Sequence, residues 1–102
     1  MKKQFIFDAF VEEVKKMYKL SNEELLFGKN TSSVEARHYL IYLAHNRKIR
    51  KRDIRDSFKD LGVSINPPTI ELAIKKFERL SAEDDDVYFI TEKINNKINL
   101  NI

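Results

Sequence analysis

The chain has 102 residues, 42% of them hydrophobic and 34% charged, with no cysteine. That suits one packed domain and excludes disulfides, thiolate zinc sites and cysteine nucleophiles. No long apolar run occurs, and Asp8, Glu12 and Glu13 interrupt the opening stretch, which argues against a membrane span and a signal sequence. The net charge of +3 conceals an uneven spread. Residues 1–46 carry seven Lys/Arg against six Asp/Glu, residues 47–59 seven against two, and residues 60–102 five against eight. Positive charge is therefore concentrated in one central stretch, the footprint of a phosphate-binding surface.

The elements are predominantly helical, as only two glycines and two prolines would suggest. Phe7, Phe10, Val11, Val14 and Tyr18 recur at three- and four-residue steps and predict a helix from about Lys3 to Lys19. Ser21 and Glu24 form a capping box that opens a short turn through Leu25, Leu26 and Phe27, closed by Gly28. Ser32 with Glu35 reads as a second box, opening a helix from Ser33 to about Asn46 that buries Val34, Tyr39, Leu40, Leu43 and Ala44. A third long helix spans Lys51 to Asp60, burying Ile54 and Phe58, with Gly62 as its terminator. Asn66 then caps a helix running to about Leu80, with Pro67 and Pro68 in its first turn, where amides lack partners anyway.

In the last stretch, Ile98, Leu100 and Ile102 alternate with polar residues, and Val87 to Thr91 have strand propensity. A C-terminal β-hairpin turning at Asn95 and Asn96 is the expectation, although Val87, Ile90, Ile94 and Ile98 also fit a helix stripe. The predicted architecture is thus mainly α. It is a helix-turn-helix bundle of four to five helices over residues 1–82, carrying a hairpin extension over residues 83–102.

Three blocks of residues resemble a known family. Val14-Lys15-Lys16-Met17-Tyr18-Lys19-Leu20 followed by Glu24-Leu25-Leu26, the run Ala36 to Ala44 with Arg37 near its start, and Ile54, Phe58 and Thr69-Ile70 come in order at family-like spacing. Together they resemble the C-terminal DNA-binding domain of the bacterial replication initiator DnaA, over roughly residues 6–80. The resemblance implies a helix-turn-helix that binds double-stranded DNA, with a recognition helix at about residues 67–80 and a role in replication control or transcription. It also implies a contact from Arg37 to the DNA backbone or minor groove. Asn66-Pro67-Pro68-Thr69-Ile70 stands where the family has Asp-His-Thr-Thr-Val, so only the last Thr and the aliphatic carry over. No phosphate-binding Gly-x-x-x-x-Gly-Lys-Ser/Thr motif occurs, so no nucleotide is expected.

In such a domain the tip of the second helix enters the major groove while other elements grip phosphates. Asn66 would then reach an adenine edge and Thr69 a thymine methyl or a phosphate, with Lys75 and Lys76 further along. Arg47, Lys48, Arg50, Lys51 and Arg52 lead into the first helix of the motif and suit phosphates. His38 and His45 share a face but have no third ligand, and no Ser-His-Asp arrangement stands out, so neither metal, cofactor nor enzymatic activity is expected. Asp84, Asp85 and Asp86 read as an acidic turn that caps the C-terminal segment.

The competing reading is a protein-interaction or structural module that keeps the fold without reading bases. The hairpin's exposed edge would then pair with a partner strand or a second copy. Richness in Lys, Ile and Asn suggests an AT-rich genome, such as that of a phage or mobile element, and a cytoplasmic protein.

Overall fold

The computed structural model describes residues 2–100. It holds six helices: α1 (Lys2–Tyr18), α2 (Asn22–Phe27), α3 (Thr31–Asn46), α4 (Lys51–Asp60), α5 (Pro67–Glu83) and α6 (Asp85–Leu100). Among the described residues there is no strand. No helix among them is long and apolar enough to cross a membrane.

The central helix is α3, which packs against α1, α2, α4 and α5. Its position explains its composition: Ala36, Leu40, Ile41, Leu43 and Ala44 are fully buried, on more than one face. A helix surrounded by neighbours loses the one-sided polarity that a surface helix shows. By contrast α1 and α5 each bury one stripe, Phe7, Phe10, Val11 and Val14 in the first and Ile70, Ala73, Ile74 and Phe77 in the second. Aromatic contacts tie the layers together. Phe7 meets Phe58 edge-on with ring centroids 5.2 Å apart, and Phe77 lies 5.0 Å from Tyr39.

Two expectations are corrected. The C-terminal hairpin is absent: residues 85–100 form α6, with Asn95 and Asn96 inside it rather than at a turn. Thr91, Ile94 and Ile98 are buried, while Tyr88, Phe89 and Ile90 are exposed in succession. That is helical rather than alternating burial. Asp84 starts the helix by accepting the Asp86 amide at 2.9 Å, and Asp85 and Asp86 sit where the helix dipole favours negative charge. The buried row faces α1 and α5. Its anchors are a 2.7 Å hydrogen bond between the Tyr39 and Thr91 hydroxyls and a 3.0 Å ion pair from Lys97 to Glu13. Packing of this kind outweighs the strand propensity of Val87 to Thr91. Asn101 and Ile102, the outer end of the expected strand, lie outside the described residues.

The second correction concerns the start of α3. Asn30, not Ser32, is the cap, accepting the Ser33 amide at 2.8 Å, so the helix begins at Thr31. Glu35 is thereby released from capping and accepts from the Tyr18 hydroxyl at 3.1 Å, linking α1 to α3.

Three helices end alike. After α1, α3 and α4 the chain passes through a left-handed residue, Lys19 (φ 56°), Lys48 (φ 74°) and Gly62 (φ 88°). In each case the next amide bonds back to a carbonyl five residues earlier, Leu20 to Lys15, Ile49 to Ala44 and Val63 to Phe58. This is the Schellman closure, which glycine fills without strain. At Lys19 a β-carbon costs about 1–2 kcal/mol, of which glycine's greater unfolded-chain entropy takes back about 0.4–1 kcal/mol. Lys19→Gly should therefore raise stability by about 1 kcal/mol, read as a higher urea midpoint at unchanged slope.

Candidate nucleic-acid interface

The tip of α5 is built by its own sequence. Asn66 caps the helix, its Oδ1 accepting both the Thr69 amide at 3.0 Å and the Thr69 hydroxyl at 2.6 Å. Pro67 and Pro68 occupy the first two helical positions, where a missing amide costs nothing. Asn66, Pro67 and Pro68 are exposed and Thr69 is half-buried, so the tip is open to solvent. The double acceptance at Asn66 uses both lone pairs of its amide oxygen. A bidentate adenine contact needs that oxygen, so in this geometry Asn66 serves as a cap and keeps only its amide nitrogen for a base edge.

Each helical residue turns about 100°. With Ile70, Ala73, Ile74 and Phe77 inward, the outward centre of α5 is Pro68, Leu72, Lys75 and Arg79, all exposed. Thr69 and Lys76 flank this ridge on the α3 side, Pro67 and Glu71 on the α4 side.

Cationic side chains stand on both flanks. On the α3 side, Arg37 and Lys29 line one cleft together with His38 and Thr69. Arg37 is held there by a 2.8 Å hydrogen bond from its Nη1 to the Leu25 carbonyl, which fixes the guanidinium over the end of α2. His38 is kept below the ordinary histidine range by its burial, with the nearby charges of Lys76 and Arg37 adding to the effect and Glu35 opposing it. Lys76 carries its ammonium 5.5 Å from the centre of the Phe77 ring. On the α4 side, Lys51, Arg52 and Arg55 line a second cleft with Pro67 and Glu71.

The sequence-predicted cations are not equivalent. Lys51 is ion-paired with Glu71, a bridge between α4 and α5 that holds the Glu71 carboxyl below its usual range. Arg50 precedes α4 and pairs with Asp53 at 3.3 Å. Arg47 is half-buried, with Nη1 shielded and lacking an acceptor, so it offers phosphate less than its neighbours do. Lys48 and Lys75 are exposed. Arg52 and Arg55 are exposed and enter no ion pair among the described residues. Arg55 and Lys29 line these clefts but are not among the site residues expected from the sequence. The signal for Arg55 was its spacing from Arg52, one turn along α4 and outside the Ile54 and Phe58 stripe. For Lys29 the sequence offered only proximity to Gly28.

No protein-family model, curated protein or solved structure matches the chain.

Proposed function

We propose that this domain binds double-stranded DNA through the α4–turn–α5 unit, laying the N-terminal half of α5 in the major groove. The observation that carries the reading is the setting of the α5 tip, exposed and flanked by Arg37 and Lys29 on one side and Lys51, Arg52 and Arg55 on the other. Cations on both flanks of a protruding helix match the two phosphate walls of a groove, while the ridge between them is left to face base edges. The order of elements, with Arg37 near the start of a long central helix ahead of the helix pair, supports a relation to the initiator DnaA's C-terminal domain. Replication control or transcription, in a bacterium or a phage-infected cell, would accord with that relation. The acidic start of α6 follows the C-terminal end of α5, the end opposite its tip.

Binding to a random duplex library, measured across salt, tests the proposal. With about six phosphate contacts, affinity should fall by roughly three decades between about 50 and 200 mM salt, and the library should enrich a site. Salt-insensitive retention without enrichment would reject it. That outcome would favour a protein-interaction module, for which the exposed Ile90 beside Met17, with Tyr88 and Phe89 also exposed on α6, is the supporting feature. With no strand among the described residues there, such a partner would meet a helix face rather than a sheet edge.

A further inference from the structure

The recognition ridge has an apolar centre. Leu72 is 60% exposed at the outward middle of α5 and is not among the described hydrophobic side chains packed against the core. One turn earlier on the same line stands exposed Pro68, and one turn later come Lys75 and Lys76. Isolated exposed leucines are ordinary on protein surfaces. Leu72 differs in where it stands, on the most protruding line of a helix whose flanks are cationic. A groove seated between those flanks would face Pro68 and Leu72.

The major groove presents one methyl group, the C5-methyl of thymine; the other groups that tell the bases apart there, the ring N7, the O6 and O4 oxygens and the exocyclic amines, donate or accept hydrogen bonds. Set against guanine or cytosine, Leu72 would strip water from a polar edge and return nothing. Against thymine, the same contact removes two apolar surfaces from water. We infer that Leu72 is a specificity-determining contact to thymine methyl groups, so that the domain prefers thymine-bearing duplex. This rests on the proposed DNA binding and adds to it the class of sequence read.

The test separates the methyl from everything else about the duplex. Fluorescence anisotropy is used to compare a short duplex of alternating adenine and thymine with its counterpart in which uracil replaces thymine. The two keep the same charge and the same hydrogen-bonding edges. The parent protein should bind the thymine duplex about fourfold more tightly for each methyl engaged, the worth of one buried methyl group. Leu72→Ala should bind both duplexes alike, and bind the uracil duplex as the parent does. The exposure of Leu72 and alanine's high helix propensity leave folding intact. Equal affinity of the parent for the two duplexes, with steep salt dependence retained, would overturn the methyl contact alone. A thymine preference that survives Leu72→Ala would overturn it as well, by placing the readout elsewhere. Absence of salt-dependent binding to either duplex would overturn both this inference and the DNA-binding reading beneath it.

Discussion

Replacing Arg52 and Arg55 together with glutamate is expected to weaken duplex binding by about two orders of magnitude at about 0.1 M salt. Each phosphate contact releases about 0.9 of a counterion, which at this salt concentration is worth about eightfold in affinity. Losing two contacts costs about sixtyfold, and two new carboxylates facing phosphate add repulsion. The pair is chosen for what its neighbours lack. Reversing Lys51 would break its bridge to Glu71, and reversing Arg50 would disturb its pairing with Asp53. Such variants would confuse helix positioning with phosphate contact. Arg52 and Arg55 carry no such partner among the described residues and lie exposed on α4, outside the Ile54 and Phe58 stripe. At Arg52, in the first turn of α4, a glutamate even suits the helix dipole. Unfolding should therefore change by less than about 0.5 kcal/mol, while the slope of log affinity against log salt becomes shallower by about two. Unaltered affinity and slope in a folded double variant would remove α4 from the interface.

How far the sequence could be read depended on whether the deciding interaction was local. The stripes of α1, α4 and α5, the Ser21 capping box and the Asn66 cap are short-range patterns, and they were legible. The C-terminal helix was not, because Val87 to Thr91 and the alternation around Ile98 satisfy a strand locally. Only burial of Thr91, Ile94 and Ile98 against α1 and α5 decides for a helix. A local clue did exist in Asp84, whose carboxylate caps α6. The interface divides in the same way. A surplus of cations between Arg47 and Lys59 is visible in the sequence alone. Which of them are already occupied depends on Glu71, twenty residues away from Lys51, and on the shielding of Arg47. The base-reading role of Asn66 meets a similar limit, since the residue type suits both a cap and an adenine edge. Only the two hydrogen bonds from Thr69 tell them apart. The proposed contact from Leu72 was not legible in the sequence because polar side chains are the usual readers of base edges.

Gly28→Ala is expected to destabilise the domain by about 3 kcal/mol, and more than Gly62→Ala does. Backbone angles alone predict the opposite order. Gly62 has φ +88°, where a β-carbon costs about 1–2 kcal/mol, whereas Gly28 has φ −63°, which alanine adopts freely. Space reverses the ranking. A β-carbon on Gly62 would meet only the Phe27 ring edge at an ordinary 3.6 Å. One on Gly28 would lie 2.3 Å from Ser33 Oγ, 2.4 Å from the Glu24 carbonyl oxygen and 2.8 Å from Ser33 Cβ. Neither neighbour can retreat cheaply. The Glu24 carbonyl accepts the Gly28 amide at 2.9 Å in closing α2, and Ser33 is fully buried in the first turn of α3. Relief therefore requires α2 and α3 to move apart, an overpacking penalty at the upper end of about 1–3 kcal/mol. That movement would also disturb the Leu25 carbonyl that holds Arg37, so DNA affinity should fall together with stability. Adding Ser33→Gly to Gly28→Ala removes two of the three clashes and should recover part of the loss, leaving the one with the Glu24 carbonyl. Urea denaturation of the two single variants and the double variant measures all three values. A smaller loss for Gly28→Ala than for Gly62→Ala would show that α2 and α3 are not packed as closely as this geometry requires.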